Sequence, residues 1–476
     1  MKKIYAILAA AAALVQTSCG DSFLDQEPDL LLTDAAIYSN AERIEATMNG
    51  VYSRMKSQYF LGGYAISAGD NRTDDFINGG NNGYTLMPAF EHVMDAGQIP
   101  TKYMYQYAYV AINAANTMIK NLEERQDLPI DAAQKEQYIQ NCKFARSISW
   151  YYLCTVYAQP YNYDPNATAV VMHTEAISDA SANITPASTI KEIYDQILED
   201  TQNISALPAG GTEADCTRPT QAAAHMLRMR VYMGMNQWDN AIAEGIKVND
   251  LPEGTKYSLS DNVKDMFGTP YATKETIYSM PFADTDRGSS QYHPAGYLNY
   301  SVATIDTLDT RNGIYSKDGY NLTDKDSRWW CLFTPGAGLF YQKYPDATTF
   351  KDWLHIFRYA ETLLNLAECY VAKGDEAKAI ECLKQVRERS IKPEDDVIDV
   401  TSLSGAALKE AVYNERRLEF LGEGMRGIDI WRRAENFVHS KNGSKETYVI
   451  ATPADRSTYC WFVPQYELSI NTAVNN

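Results

Sequence analysis

The chain has 476 residues, enough for two or three average domains or for one extended repeat architecture with a continuous core. Hydrophobic residues make up 45% and charged residues 22%, an ordinary balance for a folded protein, and the conspicuous excess is 34 tyrosines, which both pack and offer a ring face to a ligand. A formal charge of −18 argues against nucleic acid or an anionic membrane surface as the main partner, because phosphates attract clustered Lys and Arg; a neutral or cationic ligand suits it better.

The chain opens on "MKKIYAILAAAAALVQTSC": two lysines, an apolar run from Ile4 to Val15, then small polar residues ending at Cys19. This reads as a secretory signal over residues 1–18, too short to span a bilayer. The stretch "LVQTSC" resembles the lipobox of bacterial lipoproteins, which makes Cys19 the lipidated first residue of the mature chain; the alternative is an ordinary cleaved signal with an incidental cysteine. Losing Lys2 and Lys3 leaves 41 basic residues against 61 acidic, about −20, so acyl chains rather than charge are expected to hold it to a membrane. The other seven cysteines show no CxxC pair and no histidine at zinc spacing, and are expected to be mostly reduced core residues.

Apolar residues at three and four spacing predict helices at 40–55, 107–122, 138–157 and 189–204. Before the second of these, "GDNRTDDF" offers Asp70, Asn71, Asp74 and Asp75, which a turn could present as solvated acids, as contacts to sugar hydroxyls, or as calcium ligands without the EF-hand spacing. Aligning 221–248 with 359–386 brings Ala222 onto Ala360, Tyr232 onto Tyr370, Ala241 onto Ala379 and Val248 onto Val386 without a gap. Each stretch reads as two helices joined by a short turn, resembling the tetratricopeptide repeat. The pattern breaks down between Asp250 and Asp352, where Gly, Pro, Asn, Asp and aromatics dominate around short strand-like pieces such as "TIYSMPF". The expected architecture is mainly α: one domain over 19–476, with repeat-like helices at about 40–250 and 353–390, a loop-rich insert at about 251–352 and a C-terminal part at 403–476. Long loops on such a scaffold are usually functional.

Near the C-terminus stands "NERRLEFLGEGMRGIDIWR" (414–432), rich in both carboxylates and arginines. Spacing puts Glu415 and Glu419 on one helical face, with Arg416 or Arg417 within reach of Glu419 or Glu423. A catalytic carboxylate needs a raised pKa and a cleft, whereas arginines at close spacing keep acids ionised. The segment therefore reads as a structural ion network of Glu415, Glu419, Glu423, Arg426 and Asp429 joining the last repeat to the terminal helices. No G-x-S-x-G, H-E-x-x-H or Walker pattern is present, the six histidines are scattered, and no cofactor is implied.

Loop aromatics are the stronger binding signal, since a sugar ring has an apolar C–H face on which Tyr or Trp can stack. Candidates are Tyr84, Tyr292, Tyr297, Tyr300, Trp329 and Trp330, with Asp70, Asn71 and Asp74 as polar contacts. For each ring the competing reading is packing beneath its own loop, and one of the two tryptophans is expected in the core.

These segments together resemble the SusD/RagB family of outer-membrane nutrient-binding lipoproteins. The resemblance rests on "CGDSFLDQEP", "AINAANTMI", "CKFARSISWYYLCTVYAQPY", "FRYAETLLNLAECY" and "LKQVRERS". It rests most specifically on Asn414, Glu415, Arg416, Arg417, Glu419, Phe420, Glu423, Gly424, Arg426, Asp429 and Arg432. The chain departs from the family where a usual tryptophan before "AINAANTMI" is replaced around Tyr103 and Tyr105, and where the first repeat is only loosely matched. The resemblance implies four tetratricopeptide-like units in a right-handed scaffold, a substrate face of loops, and a SusC-type TonB-dependent transporter over which the lipoprotein sits as a lid. The expectation is a non-enzymatic lipoprotein on the outer membrane, facing the exterior, that captures oligosaccharides for that transporter. Peptide capture by the same fold, glycoside hydrolysis, and a tetratricopeptide adaptor are the alternatives.

Overall fold

The computed structural model describes residues 34–78, 86–179, 183–212, 214–251, 254–289, 292–296, 303–305, 325–333, 340–396, 398–440 and 447–474. The longer helices in chain order are α1 (Asp34–Tyr38), α2 (Ala41–Met55), α3 (Tyr64–Asn71), α4 (Ile99–Glu124), α5 (Ala132–Tyr157), α6 (Ile190–Asp200), α7 (Gln221–Gly234), α8 (Trp238–Asn249), α9 (Tyr359–Lys373), α10 (Glu376–Ser390), α11 (Gly405–Glu419), α12 (Met425–Arg432) and α13 (Gln465–Ile470). The strands are short and pair antiparallel in twos: β1 (Phe76–Asn78) with β5 (Ala303–Ile305), β2 (Thr168–Val171) with β3 (Ala187–Thr189), and β4 (Thr276–Met280) with β8 (Leu354–Arg358). Likewise β6 (Leu332–Phe333) pairs with β7 (Phe340–Tyr341), and β9 (Phe437–Ser440) with β10 (Thr447–Ala451).

Capping chemistry sets the helix starts. Asn40 accepts from the Arg43 amide to open α2, and Thr189 with Glu192 forms a reciprocal capping box at α6. Two helices begin earlier than apolar spacing suggests. Pro100 lies in the first turn of α4, where its missing N–H costs no helical bond, and the Asp131 carboxylate caps α5 by accepting from the Gln134 amide at 2.8 Å. Helix α6 ends at Asp200 rather than 204, and Ile204–Ala206 forms a separate 3₁₀ turn.

Successive helices pack side by side: α2 on α4, α4 on α5, α5 on α6, α7 on α8, α8 on α9, α9 on α10, and α11 across both α9 and α10. The two aligned hairpins are α7–α8 and α9–α10. Ala241 and Ala379 are fully buried in their second helices, which lets the paired backbones approach. The turn after α9 closes on Gly374 at φ 77°, the left-handed conformation favoured at a helix C-terminus. Helix α5 is the centre of the core, buried from Tyr138 to Tyr157 apart from one half-exposed lysine, Lys143. All seven described cysteines are free and buried.

Helix α12 meets α3 through glycine. A Cβ on Gly69 would stand 2.3 Å from the Gly424 carbonyl oxygen, and one on Gly427 would stand 2.2 Å from the Gly69 carbonyl oxygen, so the two backbones touch only because these side chains are absent.

Candidate functional site

The arginine- and acid-rich segment forms the end of α11, a glycine turn and α12. Among the acids expected to form the network, Glu415 and Glu419 are fully buried and Asp429 and Glu423 nearly so. Their partners are not the arginines next to them. Glu419 accepts from Arg358 Nη1 at 2.6 Å and from Arg328 Nη1 at 3.2 Å, and Arg389 also reaches it. Glu423 takes two bonds from Arg358, both at 2.8 Å, and one from Lys343. Glu415 joins Arg328 at 2.6 Å to Arg387 at 2.9 Å.

Arg416 turns away to Asp429 at 2.9 and 3.0 Å, and Arg417 bonds to Asp75 and Asp74. The expected pairing of Arg416 or Arg417 with Glu419 or Glu423 along the helix is therefore corrected. α11 is buried on more than one side, so each charge finds its partner across an interface. Arg426 holds Asp74 at 3.0 Å.

Burial alone would raise the pKa of Glu419, Glu423 and Asp429, but the neighbouring guanidiniums hold all three below the ordinary carboxylate range. Ionised, encased acids of this kind cannot deliver a proton to a substrate. The segment joins α9, α10, α11, α12 and the β4–β8 pair, with Asp326 and Arg328 fixed into the same network by bonds of 2.7 to 3.1 Å.

The "GDNRTDDF" stretch is not a solvated turn. Asp70 and Asn71 lie in α3 and are fully buried. Asp70 accepts from the Gly424 amide at 2.7 Å, and Asn71 donates to the Leu86 carbonyl at 2.9 Å. Burial raises the pKa of Asp70 well above the ordinary value, and Asp75 and Glu423 push it the same way against the Gly424 bond. Asp70 ties α3 to the glycine turn that opens α12, and Asn71 ties α3 to Leu86, so both hold the fold together, which corrects their expected role as ligand contacts. Asp74 is held by Arg417 and Arg426, which outweigh its burial and keep its pKa low. Among the described residues no cluster of His, Cys, Asp or Glu has the arrangement to hold a metal ion.

Of the expected stacking residues, Tyr84, Tyr297 and Tyr300 lie outside the described residues, as does Cys19. Tyr292 is 4% exposed and is covered by other rings, which corrects its reading as an open platform residue. Trp329 and Trp330 are both half-buried against the core, so neither is the fully buried one expected. Trp330 packs 6.4 Å from Phe267, with the Lys264 ammonium 5.9 Å from its ring.

Tyr292 belongs to a tyrosine cluster that the loop-centred reading missed. Tyr59, from the turn after α2, stands 4.6 Å from Tyr103, 4.8 Å from Tyr107 and 5.1 Å from Tyr292. Tyr64 closes the cluster from below at 4.6 Å from Tyr292. Tyr64 and Tyr292 are buried, whereas Tyr59, Tyr103 and Tyr107 are partly exposed, so three accessible rings meet one another and Tyr59 among them rests on the two buried ones. Lys102 places its ammonium 5.5 Å from the Tyr103 ring. Burial first, then its tyrosine neighbours, raises the Tyr59 pKa, so this hydroxyl is a neutral donor and acceptor near pH 7. The signal was present in "YMYQYAY": tyrosines four residues apart at the start of a helix share a face.

Family comparison agrees with this architecture. Residues 339–475 match the model described as the SusD family, and residues 22–233 match the one described as starch-binding associating with outer membrane. A SusD-like protein of Bacteroides ovatus is 22% identical over 55% of this chain and only 46% of its own length, and SusD-like protein P25 of Formosa agariphila is 20% identical over 87% of both chains. Among solved structures, a putative sugar binding protein from Bacteroides vulgatus shares the fold at a TM-score of 0.75 and 22% identity, covering 91% of this chain and 97% of its own. A SusD superfamily protein from Bacteroides fragilis superposes with a TM-score of 0.85 and 41% identity, covering 92% of this chain and all of its own. On that identity and coverage, the chain belongs to the SusD superfamily.

Proposed function

We propose that this protein is a non-enzymatic, lipid-anchored binding protein of the outer membrane that captures oligosaccharides and passes them to a SusC-type TonB-dependent transporter. The observation that carries the reading is the shelf of Tyr59, Tyr103 and Tyr107, three partly exposed rings within 6.3 Å of one another, with Tyr59 set against the buried Tyr64 and Tyr292. Stacking on sugar C–H faces asks for such preorganised rings, whose orientation does not have to be fixed on binding. Tyr84, Tyr297, Tyr300, Trp329 and Trp330 remain candidates for further contacts. The names of the relatives, one a sugar binding protein and one family described as starch-binding at the outer membrane, support the ligand class and the location. Among the described residues no helix is long and apolar enough to cross a membrane, and anchoring is assigned to Cys19.

Buried, ion-paired acids support binding rather than hydrolysis. The test is to screen the mature protein without its lipid against neutral oligosaccharides and to assay the bound ones for released sugar. Binding without turnover is expected. Turnover would restore the hydrolase reading, and binding of peptides alone would move the ligand class.

A further inference from the structure

A polar cavity separate from the tyrosine shelf lies between α2 and α5. Each helix lines it with a stripe at three and four spacing: Glu45, Asn49 and Tyr52 from α2, and Gln134, Gln137 and Asn141 from α5. Beside it the two helices touch through Cys142 and Met48, sulfur to sulfur at 3.7 Å. Pro208, Ala214 and Arg218, from the chain leading into α7, complete the lining of a cavity of about 360 Å³. That volume lies at the lower end of the roughly 300 to 1,000 Å³ found for small-ligand pockets.

Its walls are held in place. Arg218 donates to Asn49 Oδ1 at 2.6 Å and lays its guanidinium 4.4 Å from the Tyr52 ring, and Gln134 donates to the Tyr138 hydroxyl at 3.1 Å. Two polar atoms of the lining residues are nonetheless unpaired. Tyr52 and Asn141 are 8% and 4% exposed, and Tyr52 Oη and Asn141 Oδ1 have no hydrogen-bond partner among the described residues. Native interiors rarely leave a hydroxyl or an amide oxygen so. Asn141 Oδ1 asks for a donor, and Tyr52 Oη takes either role, while the half-buried Gln137 amide and the exposed Glu45 carboxylate add a donor and further acceptors at the rim. Glu45 and Asp215 disfavour an anion here, and Arg218 disfavours a cation. Met48, Pro208 and Ala214 offer apolar contact. A compact, uncharged molecule with hydroxyls on adjacent carbons and a C–H face meets all of these demands. We infer that this cavity binds a single neutral sugar ring. None of its lining residues belongs to the tyrosine cluster, so it is a second site that does not depend on the shelf.

The experiment is a ligand-observed NMR titration of the full chain with glucose, galactose, mannose and xylose. It compares the parent with Asn141→Leu, with Gln137→Trp and with the double shelf variant Tyr103→Ala/Tyr107→Ala. An indole at the half-buried position 137 fills the cavity from its rim, and this variant remains readable if Asn141→Leu does not fold. At least one of the four sugars should bind the parent with a Kd on the order of millimolar, as one ring with few polar contacts allows. The double shelf variant should keep that affinity within about twofold, whereas Asn141→Leu and Gln137→Trp should each lose about tenfold or more. Absence of binding to the parent overturns the inference, since the cavity then holds only water. Unchanged binding in the folded cavity variants overturns it too, as does a loss confined to the shelf variant, which would place the sugar on the tyrosines. Failure of the shelf reading is distinct, because it is read from the shelf variants with oligosaccharide and leaves this cavity untouched.

Discussion

Arg358 Nη1 lies 2.6 Å from Glu419 Oε1, between residues 61 apart in the chain and both sealed from solvent. The same guanidinium bonds to Glu275 at 2.8 Å, to Glu423 at 2.8 Å through two nitrogens, and to the Glu419 carbonyl at 2.9 Å. One planar fork thus ties the start of β4, the end of β8, the last turn of α11 and the glycine turn into one body. A lysine at this position would keep the charge but not the fork.

Removing that arginine strands buried carboxylates. Arg358→Ala is expected to cost about 3 to 5 kcal/mol, and Arg358→Lys to recover only part of it. Arg426→Ala should cost less, about 1 to 3 kcal/mol, because Asp74 keeps Arg417 as a partner. Urea unfolding of the three variants checks the order; equal costs would contradict it.

The α3–α12 contact makes a second prediction. Gly427→Ala places a methyl where the Gly69 carbonyl oxygen would be 2.2 Å away, and backbone cannot rotate aside as a side chain can. A loss of about 1 to 3 kcal/mol or more is expected, whereas Gly268→Ala, which meets nothing within 4 Å, should be nearly neutral. Thermal melting of both variants tests the contrast.

Histidine 293 gives a pH prediction. Its Nε2 donates to the Asp352 carbonyl at 2.9 Å and its Nδ1 accepts from the Ala295 amide at 3.1 Å, so the neutral ring is satisfied on both sides. Burial lowers its pKa to about 4, with Asp346 and the Asp352 carbonyl opposing. The unfolded chain, at about 6.5, binds this proton first. The stabilisation is therefore complete above about pH 6.5 and is lost as pH falls toward 4, by at most about 3.4 kcal/mol. His293→Gln should be less stable than the parent at pH 7, with the gap narrowing toward pH 4. A gap independent of pH would show that this histidine does not titrate with unfolding.

How far the fold could be read from sequence depended on range. The two hairpins were legible because their signals are local: apolar periodicity, Ala241 and Ala379 at matched positions, and the glycine after α9. The ion network was legible as structure, since clustered arginines hold acids ionised, but its partners were not. Arg328, Lys343 and Arg358 arrive from other elements, and helical spacing sees only neighbours along one helix. Asp70 and Asn71 looked like surface residues because polar side chains usually are; they are buried against segments distant in sequence or folded back, Asp70 on the Gly424 turn and Asn71 on Leu86, which no local pattern encodes. Tyr103 and Tyr107 carried a readable four-residue spacing, yet their value as a surface appears only when Tyr59 and Tyr292 are brought beside them.

Anchoring is tested by Cys19→Ala. Membrane-fraction association should be lost, because the remaining chain is acidic and, among the described residues, holds no spanning helix. Retention in the membrane fraction without acylation would contradict the lipoprotein reading.

The most direct test of the central claim is calorimetric titration of an oligosaccharide identified in the screen into the parent and into Tyr59→Ala, Tyr103→Ala and Tyr107→Ala. Each lost ring is expected to cost roughly 1 to 3 kcal/mol, or about five- to more than a hundredfold in Kd, from a micromolar parent value. Tyr103→Ala and Tyr107→Ala should leave melting near that of the parent, since both rings are only partly buried. Weakened binding with melting preserved is the result this account predicts; parental affinity in all three folded variants would contradict it.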